Sequence, residues 1–434
     1  MPVPMTMAEK ILARASGRAR AGAGEYVTAR ADKVMAHEAF VLCALKLLQL
    51  GIDRVFDPER VIVILDHYFP APTERMAQGH KLARELVEKF GIRHFLGHAG
   101  ICHQVLTERG LVLPGELVFG TDSHSTTYGA VGAAGNGIGI TEMTWVLATG
   151  ELWLRVPPTI RFELEGALPA GLMSKDVVLH LAGRFGTEVA QYRAIEFGGP
   201  VANALSLASR MTMANMGIEL GAKFAFFAAD AATCAYLASR ARVEVKPFGP
   251  DADASYEAVH RADVSALEPQ IACPHSPGNV KPVSAVAGTP VHQAFLGSCT
   301  NARLEDLAVA AEILRGRQVH PRTRLIVTPA SHAVMLEATR RGYVETLLEA
   351  GAHVTASGCG ACPGGHNGVV GAGETCLSTT NRNFRGRMGS ADALVYLGSP
   401  ASVAAAAVAG EIVDPRTLWT GAVPVLDADA RSAA

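Results

Sequence analysis

The 434-residue sequence is poor in aromatic residues, at 6%, and nearly without net charge, since 39 basic and 41 acidic residues leave −2. A near-neutral chain without a basic patch has no field to attract nucleic acid or an anionic membrane, which favours a small-molecule ligand. No run of about 18 predominantly apolar residues occurs, so no membrane-spanning helix is expected. The longest uncharged stretches, such as 123–141, are broken by Gly, Ser, Thr and Asn. Eight cysteines are too few for a disulfide scaffold, and a Cys-x-x-Cys in such a chain points to redox or metal chemistry in a reducing compartment, here the cytoplasm. Arg14, Arg18 and Arg20 faintly suggest a transit segment, but Glu9 and Glu25 interrupt it and no signal-peptide core follows. A dinucleotide fingerprint is missing too: the Gly129 to Gly139 run departs from GxGxxG and lacks the acidic residue that should follow.

What is present is an Ala/Val/Gly-rich composition, with 44 glycines and 49% hydrophobic residues, the profile of an α/β protein. The run VIVILDHYF after Arg60 predicts a strand buried on both faces, with Asp66 and His67 at its carboxyl end, where α/β sheets keep ligands. Leu117 to Gly120 predicts a second such strand, running into Asp122, Ser123 and His124. Periodicity predicts helices over 73–90, 206–220, 304–314, 331–341 and 401–409, and strands over 92–95, 160–164, 293–297, 323–327 and 353–356. Turn signals near Pro157 and Gly288 divide the chain into three α/β domains: 1–158, 159–288 and 289–434.

The chemistry concentrates in a few places. Cys359 and Cys362 are three apart, so both thiols can turn to one side of a loop. Cys299 follows a strand beside Gly297 and Ser298, small residues that let backbone N–H groups approach an anion. By spacing alone, the Cys-x-x-Cys serves a redox pair, a buried structural pair or a metal site, whereas a closed zinc site lacks a fourth ligand. Cys43, Cys102, Cys234, Cys273 and Cys376 have no partner at ligand spacing and read as buried small hydrophobes. A carboxylate beside an imidazole raises its pKa and fixes its tautomer, which makes Asp66 and His67 a candidate general acid. Arg382 and Arg387 carry the fork that grips carboxylates, although RNFRGR could also be a solvated basic turn.

Five motifs in order, GTDSHSTTYGAVG (120–132), CPHSPGNV (273–280), LGSCTN (296–301), SGCGACPGGHNG (357–368) and STTNRNFRGRMG (378–389), resemble the aconitase superfamily. The likeness covers nearly the whole chain and is nearest to large subunits of 3-isopropylmalate dehydratase and homoaconitase. It implies three α/β domains of the aconitase type around a central cleft. There Cys299, Cys359 and Cys362 hold a 4Fe-4S cluster whose fourth iron has no protein ligand. It also implies that His103 pairs with Asp122 and His124 with Glu219, and that Ser123, Asn215, Asn381, Arg382 and Arg387 bind substrate. Asn215 and Glu219, four apart, are expected on one helix face.

The implied activity is a hydro-lyase that isomerises a malate derivative, a hydroxy di- or tricarboxylic acid, by dehydration and rehydration. The first choice is 3-isopropylmalate, in leucine biosynthesis; homoaconitate, 2,3-dimethylmalate and citraconate or methylmalate are alternatives. The family's swivelling fourth domain, with its serine base, is expected on a separate small subunit, in a heterodimer or heterotetramer, leaving this chain inactive alone. Phe40 stands where related chains have Thr, an expected loss of a polar contact near substrate. An RNA-binding regulator in the cluster-free form and a simple electron-transfer protein are the readings from other classes. The neutral charge opposes the first and the want of a fourth thiolate the second.

Overall fold

Buried β-branched runs become parallel strands. In the computed structural model, which describes residues 3–426, a five-stranded parallel sheet has the spatial order His94–Gly97, Val61–Ile64, Lys33–Ala36, Leu117–Gly120, Ala134–Gly137. From the central strand the chain adds two neighbours on one side and then returns to the other. The order therefore reverses between Lys33–Ala36 and Leu117–Gly120, and the loops leaving their carboxyl ends diverge to open a crevice.

A seven-stranded sheet repeats this logic. Gln293–Leu296 lies between Arg324–Val327 and Thr375–Ser378, both parallel to it, with a second reversal where the chain returns to Thr375–Ser378. Its edge strands Gln270–Ala272 and Val280–Pro282 are antiparallel. A third sheet joins Phe224–Phe226, Ala194–Gly198, Thr159–Glu165 and Ala258–Asp263, all parallel, and Tyr26–Arg30 pairs antiparallel with Glu151–Arg155.

Helices start where side chains can cap them. Thr73 accepts from the Met76 N–H ahead of Glu74–Lys89, and Ser331 from the Val334 N–H ahead of His332–Arg340. The alanine-rich run forms Pro400–Ala409, capped by Ser399 and ended by Gly410. Two expectations shift: the strand predicted at 92–95 forms at His94–Gly97, and 206–220 is not one helix. The α-helix Leu207–Asn215 tightens into the 3-10 turn Met216–Leu220. Phe40 is fully buried in the core with Cys43, Leu47 and Val63. Among the described residues no helix is long and apolar enough to cross a membrane.

The glycine run explains itself by packing. The 3-10 segment Ser123–Val131 is wedged between neighbours so closely that a Cβ on Gly129 would meet the Ala225 carbonyl oxygen at 1.7 Å. Gly100 closes the join between the two large sheets: its φ is +133°, and a Cβ there would lie 2.4 Å from Ser331 Cα. Gly129→Ala is therefore expected to cost about 3 kcal/mol or more. By contrast Gly79→Ala, inside Glu74–Lys89 with open space around it, should stabilise by about 0.5–1 kcal/mol. Denaturant melts of the two variants check both signs.

Candidate active site

The carboxyl ends of the two large sheets meet. Cys359 N–H donates to the Asp66 carbonyl at 3.0 Å, Ile101 N–H to Ala330 at 2.9 Å, and His332 N–H to Ala99 at 2.8 Å. The cavity between them is lined by His67, Cys102, His103, Asp122 and His124 from one side, and by Cys299, Cys359, Cys362, Asn381 and Arg387 from the other. Residues scattered over 320 positions thus share one chamber because the carboxyl ends of parallel strands carry the loops that face each other.

Asp122 is the hub of the imidazoles. Its Oδ1 accepts from His103 Nε2 at 2.8 Å and from the His124 backbone N–H at 2.8 Å, while Oδ2 lies 3.3 Å from His67 Nε2. Burial alone would raise its pKa, yet these donors outweigh burial and hold it well below the usual carboxylate range. His67 has a second carboxylate at its other nitrogen, Nδ1 to Asp66 Oδ1 at 2.6 Å. Burial disfavours its charge, but Cys359, Asp66 and Asp122 outweigh that and raise its pKa well above the ordinary value. An imidazole with an anion at each nitrogen keeps both protons, which is the state a general acid needs. His103 differs: burial dominates and lowers its pKa despite Asp122, and its Nδ1 is buried without a partner.

His124 Nε2 meets Glu219 Oε1 at 3.0 Å, and Ser123 Oγ lies 3.4 Å from His124 Nδ1. Glu219 also accepts from Arg382 Nε at 2.7 Å. Asn215 and Glu219 do not share an α-helical face: the backbone changes pitch between them, so Asn215 reaches Cys299 while Glu219 reaches His124.

The three cysteines are 5–7% exposed. Asn215 Nδ2 and Asn381 Nδ2 donate to Cys299 Sγ at 3.1 and 3.3 Å, and an Arg387 N–H lies 3.5 Å from Cys362 Sγ. Burial raises the Cys299 thiol to about 12 and the Cys359 thiol well above normal; Asn215 and His67 pull the first down, and His67 the second. Cys102, expected to be an inert small hydrophobe, lines the same cavity. Burial, Asp66 and Asp122 all push its thiol up, and no donor opposes them, so it stays protonated. Nitrogen donors thus face the sulfurs of Cys299 and Cys362, whereas the carboxylates of Asp66 and Asp122 face that of Cys102.

Arg387 Nε is buried without a partner, as a guanidinium awaiting a carboxylate would be; Arg382 is already paired with Glu219. Other members of the site carry no sequence motif. Glu38 Oε1 accepts from the His67 and Tyr68 backbone N–H groups at 3.0 Å each, and the His37 ring stacks on His67 at 4.3 Å. Arg303 is buried and donates to the Cys299 and Thr300 carbonyls at 2.7 Å each. Lys175 is wholly buried behind the cysteines, its ammonium pushed down to about 7 by burial although the nearby thiols raise it. Position along the central strand could have flagged His37 and Glu38, since that strand also ends at the crevice.

Because the folded state lowers the Asp122 pKa, its stabilisation is complete above the unfolded value of about 3.9 and is lost as pH falls through the folded value. Asp122→Asn should therefore destabilise by about 3 kcal/mol at about pH 7, with the gap closing below about pH 3. Urea melts across that range check it.

The chain is 50% identical over 413 residues to a Methanopyrus kandleri protein named 3-isopropylmalate dehydratase large subunit 1, covering 95% of this chain and 99% of the relative. An Aquifex aeolicus 3-isopropylmalate dehydratase large subunit is 45% identical over 418 residues, covering 95% and 97%. The crystal structure of Thermococcus kodakaraensis aconitase X shares the fold at a TM-score of 0.50 and 13% identity, over 84% of this chain and 88% of that one. The model of the aconitase family (aconitate hydratase) matches residues 9–410, and on this match, the relatives and the shared fold the chain belongs to the aconitase family.

Proposed function

We propose that the chain is the large, cluster-bearing subunit of a hydro-lyase that interconverts 2-isopropylmalate and 3-isopropylmalate in leucine biosynthesis. The observation that carries this reading is the single cavity onto which Cys299, Cys359 and Cys362 open together with His67, His103 and Asp122, with Asp66 behind His67. The relatives named above as large subunits support the substrate and a small-subunit partner.

The donor set fits a 4Fe-4S cluster: Cys299, Cys359 and Cys362 would hold it, three thiolates that leave one iron without a cysteine ligand. When bound, such a cluster supplies Lewis acidity toward the substrate's hydroxyl and carboxylate. The chain's own residues do the rest. Dehydration removes a C–H proton and expels hydroxide, and His67 donates the proton that turns the departing hydroxide into water. Asp66 and Asp122 fix the orientation and charge of His67, and Glu38 holds the backbone that carries it. Arg387, with its unpartnered Nε, binds a substrate carboxylate; Arg382, anchored on Glu219, offers its outer nitrogens to another. Asn215 and Asn381 donate to Cys299 Sγ. The small subunit brings the serine that abstracts the C–H proton, and water then re-adds to the alkene at the neighbouring carbon.

Anaerobic reconstitution with iron and sulfide should give four irons per chain, and Cys299→Ser, Cys359→Ser and Cys362→Ser should each abolish retention of that content while Cys102→Ser preserves it. The reconstituted chain mixed with its small subunit should turn over 3-isopropylmalate, with no turnover by either alone. Homoaconitate or 2,3-dimethylmalate as the better substrate would reassign the specificity, and no turnover of any branched malate would sink the reading. Arg387→Lys should raise KM about 10-fold or more, because an ammonium cannot reproduce the bidentate grip.

A further inference from the structure

We propose that Lys175 is a positioning residue and the resident counter-ion of the three-cysteine set: its ammonium clamps the backbone loop that aims Asn381 and Arg382 into the site. This rests on the reading of those cysteines as ligands of a cluster.

Lys175 is the second residue of the helix Ser174–Phe185 and is 0% exposed. Lysine is almost never wholly buried without an ionic partner. The adjacent carboxylate, Asp176, is turned away, accepting from the Met173 and Gln270 backbone N–H groups at 2.9 Å each. Instead Lys175 Nζ donates to the Thr380 carbonyl at 2.7 Å and the Thr379 carbonyl at 3.1 Å, with Met216 Sδ at 3.7 Å. All three donors therefore meet neutral acceptors. The charges that favour its ammonium lie farther off, with Cys299 and Cys362 first among them, then Glu219 and Asp306. A cation placed in this way is compensated only when the cysteines are anionic, which metal ligation ensures.

The clamp falls at a mechanical junction. Thr379 N–H donates to the Phe295 carbonyl at 3.0 Å, and its hydroxyl donates to the Gly297 carbonyl and accepts from the Gly297 N–H at 2.9 Å each. It thus stitches the strand that leads to Cys299 to the strand that leads to Asn381. Beyond the clamp, Asn381 Nδ2 reaches Cys299 Sγ and the Asn215 Oδ1, at 3.3 and 3.2 Å. Arg382 reaches Glu219. Without the ammonium, two carbonyls and a thioether face a cavity with no donor, and the loop loses its support from the helix Ser174–Phe185.

The test is Lys175→Met, which keeps the length and removes charge and donors, alongside Lys175→Gln, which keeps a donor without the charge. Both proteins are reconstituted anaerobically, and cluster loss to a chelator is followed by absorbance. Lys175→Met should lose its cluster about 10-fold faster than wild type, as outer partners of metal ligands commonly require. Both variants should show a lower midpoint potential, because a positive charge near the cluster favours its reduced, more negative form. Wild-type retention and potential in Lys175→Met would overturn the proposal. So would failure of both variants to fold while cluster-free wild type folds, since the lysine would then serve the fold alone. Turnover of 3-isopropylmalate by wild type is measured in parallel: if it is missing while the cluster readouts shift as expected, the substrate reading falls and this one stands.

Discussion

The site depends on one backbone contact, the Cys359 N–H donating to the Asp66 carbonyl at 3.0 Å. It joins the turn that carries two of the three cysteines to the turn that carries Asp66 and His67. Around it His366 Nε2 lies 2.9 Å from the His67 carbonyl, and Glu38 grips the next two backbone N–H groups. Such bonds can form because both turns leave the carboxyl ends of parallel strands, Val61–Ile64 and His353–Val354, with polar backbone groups that no ladder claims. Gly100, pressed against Ser331, lets the sheets come that close.

Once joined, the chamber is an electrostatic problem solved as a set. Asp66, Asp122, Glu38, Glu219 and three cysteines are crowded into a poorly hydrated space, and each anion there is costly unless donors meet it. Asp122 is met by two imidazoles and a backbone N–H, Glu219 by His124 and Arg382, and Cys299 by two amides. The same crowding sorts otherwise similar groups into different states. His67, between carboxylates, favours its charged form; His103, dominated by burial, favours its neutral one. Networks of this kind fail together, because removing one member leaves its partners buried and unpaired.

Much of this was legible in the chain. The run VIVI followed by Asp66 and His67 could only be a buried strand with chemistry at its end, and helices such as Leu304–Leu314 announced themselves by period and cap. The packing role of the glycine run against Ala225 needed coordinates. Glu38, Arg303 and Lys175 were illegible because a buried charged residue looks, in sequence, like any exposed one. Cys102 misled for the same reason: nothing along the chain says that it lines the cavity. The break between Asn215 and Glu219 was hidden because α and 3-10 turns share residue preferences, and the choice between them is made by tertiary packing.

The sequence by itself determined the local chemistry: which residues can ionise, which strands are buried, where helices begin, and that three thiols and two Asp/His pairs lie at strand ends. These follow from short-range sterics, periodicity and side-chain identity. Only the tertiary structure decided who meets whom. It set Asp122 against the His67 and His103 imidazoles, put Cys102 near Asp66 and Asp122 but Cys299 beside two amides, and buried Lys175 without a carboxylate contact. Distances across two sheets and the solvent excluded between them set these states, and neither quantity is written in the order of residues.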